Sequence, residues 1–252
     1  MKILIHGYGR VGKLVAAAIG ADDLVQIIDI NVKSEAEING NRVNEGEMSA
    51  RIEDYGVKFD RPDVIVDFSN HLAIVGLIEY ATREGIPLVI GTTGFDQAER
   101  NLIVSAAKII PICLDGNYSR GFWLFEQAVC KVTKGFGRPQ IIITETHHIH
   151  KSDSPSGSAL RLAEAIRSQL GGSDHILNDC NGKELDVSIR SIREGEVIGK
   201  HQVDVIGDSE GVSLTHEVKD RRVFALGAVA VARRLIAKPA GLYCAGDFWS
   251  ED

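Results

Sequence analysis

Aromatic side chains are scarce in this chain, at 6% of its residues. A core must therefore be built mainly from aliphatic side chains. Positive charge is also in deficit: 28 Lys and Arg face 35 Asp and Glu, leaving a net charge of -7. A globally acidic protein is a poor nonspecific binder of nucleic acid, although a local cationic pocket for a small anion remains compatible with it. Cysteines number four (Cys113, Cys130, Cys180 and Cys244), lie far apart and form no CxxC pair. They are expected to be reduced and mostly buried thiols. No apolar run approaches the ~20 residues that a membrane span needs. The opening "MKILIHGYGR" enters a strand directly, without the apolar region and cleavage site of a signal peptide, and a cytoplasmic setting is expected. Internal repeats and low-complexity tracts are absent.

What is abundant is glycine, 26 residues in 252, within a chain of 44% hydrophobic content. Aliphatic and Gly-rich composition suits an α/β protein with many tight strand-to-helix turns. The first half alternates accordingly. "MKILIHG", "LVQIIDI", "DVIVDFS", "PLVIGTTG" and "IIPICLD" read as buried parallel strands. "GRVGKLVAAAIG", "HLAIVGLIEYATREG" and "FDQAERNLIVSAAK" read as the intervening helices. This grammar implies βαβ crossovers and a doubly wound, Rossmann-type parallel sheet.

The first turn, "GYGRVG" (Gly7, Tyr8, Gly9, Arg10, Val11, Gly12), fits G-x-G-x-x-G. The motif alone is weak, but here it follows a strand and opens a helix. Gly7 permits the tight turn, Gly9 lets backbone approach a pyrophosphate, and Gly12 allows close helix packing. The helix N-terminus offers N–H groups to the phosphates. About twenty residues on, Asp29 ends the second strand, where a carboxylate accepts from an adenosine ribose and repels a 2′-phosphate. No Arg follows it, although Lys33 is near, and NADH is expected to be preferred over NADPH. "DFSNH" and "GTTGF" lie at later strand ends. Ser69, Thr92 and Thr93 there are candidates for the nicotinamide end, beside the alternative of ordinary turn chemistry.

The second half reads differently. A helix at "FWLFEQAVCKVTKGF" precedes the β-branched strand "PQIIITETHHIH". "LDVSIRSIR", "GKHQVDVIGD" and "EGVSLTHEV" then read as strands separated by Gly-containing turns. This is a second, α+β domain with a mixed or antiparallel sheet. The helix "RRVFALGAVAVARRLI" is expected to return to the first domain, with "KPAGLYCAGD" as a tail. The expected organisation is residues 1–117 with 218–252 as a dinucleotide-binding domain, and 118–217 as a substrate-binding and oligomerisation domain. The substrate site is expected between the two.

"ETHHIHKSDSPSGSAL" (Glu145–Leu160) concentrates His147, His148, His150 and Lys151 before a helix start read at Ser154-Pro155-Ser156. Alternation along a strand puts Glu145, His147 and Lys151 on one face if the strand persists. Gly157 and Ser158 fall in the first helical turn, where backbone N–H groups attract a carboxylate. Three readings stay open on the residues alone. The stretch is a metal site, a row of surface histidines, or a cationic, proton-donating pocket for a small dianion. Lys151 speaks against a cation, because it would repel one.

This stretch resembles the signature E-x-H-H-x-x-K-x-D-x-P-S-G-T-A of the dihydrodipicolinate reductase (4-hydroxy-tetrahydrodipicolinate reductase) family. Further similar segments run in family order: "VIVDFS", "VIGTTGF", "GNYSRG", "SIREGEVIGKHQV", "LTHEVKDRRVFALGAV" and "KPAGLY". The resemblance implies hydride transfer from NADH or NADPH to a cyclic unsaturated dicarboxylate, giving tetrahydrodipicolinate in lysine and diaminopimelate synthesis. It implies His147 as the acid/base residue, Lys151 as proton donor, and His148, Gly157 and Ser158 as substrate-carboxylate binders. For the cofactor it implies Gly7 to Gly12, Asp29, Gly91, Thr92, Thr93, Asp115, Gly116, Asn117 and Tyr118. It also implies a homotetramer built through the substrate-domain sheet. No metal is expected, since Lys151 would repel a cation and adjacent histidines point apart in a strand. Ser158 stands where the family usually has Thr, and "GYGRVG" is one residue tighter than the family's usual G-x-x-G-x-x-G. A different two-domain dehydrogenase, of the amino-acid or aspartate type, and a noncatalytic NAD-binding sensor are the competing readings.

Overall fold

A computed structural model describes residues 1–20, 23–29, 36–38, 41–45, 61–137, 139–170 and 187–250. Lys33 and Cys180 lie outside the described residues. In chain order the elements begin β1 (Lys2–His6), α1 (Arg10–Ala18), β2 (Leu24–Asp29), β3 (Ala36–Ile38), β4 (Asn41–Glu45) and β5 (Val64–Asp67). They continue α2 (Ile74–Glu84), β6 (Leu88–Ile90), α3 (Gln97–Ala106), β7 (Pro111–Leu114), α4 (Arg120–Phe136) and β8 (Gln140–His147). The remainder is α5 (Gly157–Gln169), β9 (Val187–Arg193), β10 (Gly199–Ile206), β11 (Gly211–Val218), α6 (Arg222–Leu235), β12 (Gly241–Tyr243) and α7 (Gly246–Trp249). Two compact units result: Met1–Tyr118 with Arg221–Asp252, and Ser119–Asp220.

The first unit is built on a sheet of order β12-β7-β6-β5-β1-β2-β4-β3. Neighbouring strands pair in parallel, except that β3 runs antiparallel to β4. The apolar runs of the sequence become strands covered on both faces: every residue of β5 and β6 is buried. Leu4, Ile65, Leu88 and Ile112 join the core formed with α2 and α3. Each such side chain contributes about 1.5–3 kcal/mol by leaving water. The helix α6 packs against α1 and against β5, β6 and β7. Its Gly227 lies so close to the Tyr118 carbonyl that a Cβ there would sit 1.8 Å from the oxygen.

The segment read as a tail is structured. Gly241–Tyr243 forms β12, which adds in parallel to β7 at the sheet edge. A three-residue strand carries too little periodicity to be seen in sequence. Cysteine burial is also mixed: Cys113 is buried, Cys130 half-buried and Cys244 exposed, and all three are unpaired. No helix among the described residues is long and apolar enough to cross a membrane.

The second unit holds a mixed sheet of order β11-β10-β8-β9, with β8 antiparallel to β10 and parallel to β9. Its core is Phe122 and Val129 of α4, Leu162 and Ile166 of α5, and the inward residues Ile141, Ile143, Val203 and Val205 of the strands. A two-pronged ion pair, Arg161 Nε and Nη2 to Glu126 at 2.7 and 3.2 Å, joins α5 to α4. Burial alternates strictly along β8, so the inward stripe reads Ile141, Ile143, Glu145, His147. The apolar stripe thus ends in an acid and an imidazole on the same face.

Candidate active site

In the first unit the glycine-rich turn sits where β1 and β5 end side by side. Phe68 N–H donates to the His6 carbonyl at 2.9 Å and draws the two strand ends together. Gly7 has φ +91°, and a Cβ on it would lie 2.5 Å from the Phe68 carbonyl oxygen. A Cβ on Gly12 would lie 2.0 Å from the Gly7 carbonyl oxygen. Only glycine fits either position. Gly9 precedes α1 with no side chain capping the helix, and it is exposed together with Arg10. Val11 is half-buried, and Tyr8 is buried. No side chain therefore caps the backbone amides that open α1.

The neighbouring strand ends are tied together beneath this turn. Asp67 accepts from Ser69 Oγ at 2.5 Å and pairs with His6 Nδ1 at 2.7 Å. Thr92 Oγ1 accepts from the Ser69 amide at 2.9 Å, so its oxygen already holds one strand end to the next. Gly91 passes the Phe68 ring where a Cβ would meet Cε1 at 2.0 Å, while Thr93 is exposed. Asp115 is buried and accepts from the amides of Asn117 at 2.9 Å and Ala245 at 3.0 Å. Tyr118 is buried too, and its hydroxyl donates to the carbonyls of Ile90 and Cys113. Both side chains shape the turn that carries the exposed Gly116. Asp29 is the last residue of β2.

In the second unit β8 stops at His147, short of the His150 read from sequence, so the condition for strand parity to reach Lys151 is not met. The chain turns instead, with Lys151 N–H bonded to the His148 carbonyl at 3.1 Å. Lys151 Nζ pairs with Asp153 at 2.8 Å. His148 is buried, whereas His150 is exposed and stands 3.9 Å from Glu196. The helix start also differs from the reading at Ser154. Ser156 caps α5, its oxygen accepting from the Ala159 amide at 3.2 Å, and Pro155 lies outside the helix. The serine oxygen satisfies an orphan amide of the first turn, which proline at N1 cannot do. Gly157 and Ser158 open the helix, the first of them exposed.

Glu145, already placed on the His147 face by strand alternation, organises this end of the sheet with two residues absent from the sequence reading, Arg193 and His201. Glu145, fully buried, is in ion-pair contact with His147 Nδ1 through its Oε2. Its Oε1 accepts from Arg193 Nη1 at 3.0 Å and from the Ser156 amide at 3.3 Å. His201, paired with Glu145 across β8 and β10, sets its ring 5.2 Å from that of His147 and its Nε2 3.4 Å from Ser156 Oγ. Burial pushes the Glu145 carboxyl up, but hydrogen bonds from Ser191 and Arg193 and the nearby positive charges outweigh it and hold the group below its ordinary value. Burial lowers His147, with Glu145 opposing that shift. His201 is pushed down to about 3, by burial first and by His147 next.

Glu145, His147 and His201 bring donor atoms within 4.8 Å of one another, which is a donor set a cation could use. Arg193 already balances the carboxylate, and Lys151 adds further positive charge near His147. The arrangement therefore suits proton handling beside an anion better than cation binding.

Models of two halves of one family match this chain: dihydrodipicolinate reductase, N-terminus, over residues 1–118, and dihydrodipicolinate reductase, C-terminus, over residues 121–248. A 4-hydroxy-tetrahydrodipicolinate reductase of Archaeoglobus fulgidus is 36% identical over 98% of this chain and 99% of its own length. The enzyme of the same name from Brachyspira hyodysenteriae is 32% identical over 96% and 97% of the two chains. Among solved structures, a dipicolinate-bound dihydrodipicolinate reductase from Paenisporosarcina sp. TG-14 aligns with TM-score 0.75 over 97% of each chain, at 21% identity. An amine dehydrogenase from Mycobacterium smegmatis aligns with TM-score 0.64 at 13% identity, so the architecture alone does not separate chemistries. The sequence matches do separate them, and they span both units: the chain belongs to the dihydrodipicolinate reductase family of oxidoreductases.

Proposed function

We propose that the chain reduces 4-hydroxy-tetrahydrodipicolinate, a cyclic unsaturated dicarboxylate, to tetrahydrodipicolinate in lysine and diaminopimelate biosynthesis. The observation that carries this reading is the Glu145 carboxylate, which touches both the His147 ring and the amide that leads into α5. It gathers an acid/base imidazole and an anion-binding helix start at one place.

The turn Gly7–Gly12 fits a dinucleotide, because Gly7 and Gly12 leave no room for side chains, Gly9 opens onto free space and α1 lacks a side-chain cap. A bound dihydronicotinamide supplies the hydride. Gly7, Tyr8, Gly9, Arg10, Val11 and Gly12 hold the pyrophosphate end and Asp29 the ribose. Gly91, Thr92, Thr93 and the turn Asp115, Gly116, Asn117, Tyr118 bound the other end. Asp29, placed last in β2, favours NADH over NADPH by repelling a 2′-phosphate.

His148, Gly157 and Ser158 bind substrate carboxylate: the helix start lends N–H groups and the positive end of the α5 dipole. Hydride addition leaves negative charge on the substrate. Lys151 stabilises that charge and donates a proton, and His147 serves as the acid/base group. His147 Nδ1 faces Glu145, so its other nitrogen, Nε2, is the one left for the substrate. Gly199 makes room beside it, since a Cβ there would lie 3.2 Å from Nε2. The chain is proposed to act in the cytoplasm as a homotetramer assembled through the sheet of the second unit. Oxidation of NADH in the presence of enzymatically generated 4-hydroxy-tetrahydrodipicolinate tests the reaction. Turnover is expected, and its absence would overturn the reading.

A further inference from the structure

We infer that Glu145, held by Arg193, is the positioning residue of this site: one carboxylate fixes the His147 ring in a single tautomer and fixes the Lys151-to-α5 connection against it. The inference rests on the reading of His147 as the acid/base group.

Each oxygen of the carboxylate has a separate task. Oε2 stands in ion-pair contact with His147 Nδ1, which engages that nitrogen and leaves Nε2 as the one able to exchange a proton. Oε1 takes the Ser156 amide at 3.3 Å and Arg193 Nη1 at 3.0 Å. Arg193 in turn holds the connection, donating through Nη2 to the Asp153 carbonyl at 2.5 Å and through Nε to the Lys151 carbonyl at 3.4 Å. Strand register makes this possible: Arg193 of β9 lies opposite His147, and His201 of β10 lies opposite Glu145. Imidazole orientation, lysine backbone and helix start are thus set from one buried point. An uncharged acceptor could fill the same space, but it would not support a proton on His147.

The charged and titratable groups facing this pair are Arg193 from β9, His201 from β10 and Lys151 from the connection; α5 contributes the uncharged Ser156. Glu145 raises the proton affinity of His147, and Arg193 lowers it. The two substitutions therefore have opposite signs. In Glu145→Gln, the His147 imidazole titration, followed by NMR in the full chain, moves to lower pH than in the wild type. In Arg193→Gln it moves to higher pH. A merely structural role gives no such pair of opposed shifts. With substrate, Glu145→Gln lowers kcat by a factor on the order of 10–100, the size of the loss when a carboxylate behind a metal-bound histidine is removed. Glu145→Asp, which keeps the charge, retains the wild-type direction of the titration and recovers part of kcat. NADH affinity is unchanged in all three.

The titration needs no turnover, so it separates the two readings. If no variant or wild type reduces the dicarboxylate, the proposed reaction fails while the positioning role stands on the opposed shifts. If Glu145→Gln fails to fold, Arg193→Gln still decides through its upward shift and Glu145→Asp through its retained titration. An unmoved His147 titration in Arg193→Gln, or wild-type kcat in a folded Glu145→Gln, would overturn the inference.

Discussion

Lys151 and His201 illustrate how differently two basic side chains can serve one site. Lys151, the proposed proton donor, is a quarter exposed and held by Asp153 at 2.8 Å. Replacement by alanine should reduce kcat by a factor on the order of 10²–10⁴, the usual share of a general acid, and leave NADH affinity unchanged. Steady-state kinetics with a fluorescence titration of NADH separates the two effects. His201 is sealed among His147, Phe122 and Ser156 and stays neutral, with its group pushed down to about 3 from an ordinary 6.5. An unfolded chain protonates this ring below its ordinary value and the folded one does not. Stability should therefore be full above about pH 6.5 and fall as the pH drops from there towards about 3. Urea unfolding of wild type and His201→Asn across this window measures it. The variant should lose part of the acid dependence, whatever its absolute stability.

Elements set what these residues can reach. The turn between β1 and α1 has no space for a methyl group at Gly12, where a Cβ would lie 2.0 Å from the Gly7 carbonyl. Gly12→Ala should abolish NADH binding while the second unit keeps its fold, which calorimetric titration and circular dichroism would show together. At the start of α5, Ser156→Ala removes the cap on the Ala159 amide and should cost about 1 kcal/mol, read from urea midpoints. Much of this was legible in sequence. Unbroken apolar runs revealed the parallel strands, and "GYGRVG" marked the tight turn between β1 and α1. The strict alternation "IIITETH" even placed Glu145 and His147 on one face. Arg193 and His201 were not legible as partners. They come from β9 and β10, and only strand register brings them beside β8. The end of β8 was also misread, because nothing local in "HHIHK" marks where a strand gives way to a turn. The edge strand β12 was too short for periodicity to show.

The molecule as a whole divides its labour between two units. The sheet of Met1–Tyr118 carries the glycine-rich turn proposed to hold the cofactor, and the sheet of Ser119–Asp220 carries the strand end proposed to handle the proton. A net charge of -7 is compatible with the proposed dianion site, because Lys151, Arg193 and the start of α5 lie together at one end of the second unit's sheet. The proposed mechanism uses no metal. A chelator such as EDTA should leave turnover unchanged, with a loss that added divalent cation restores contradicting that view. The central claim is that one acidic two-unit chain carries hydride to a cyclic dicarboxylate. Its most direct test is the rate of NADH oxidation by the full chain with 4-hydroxy-tetrahydrodipicolinate generated in situ. The account predicts turnover that depends on that substrate and collapses in Lys151→Ala. NADH binding without any substrate-dependent oxidation would contradict it.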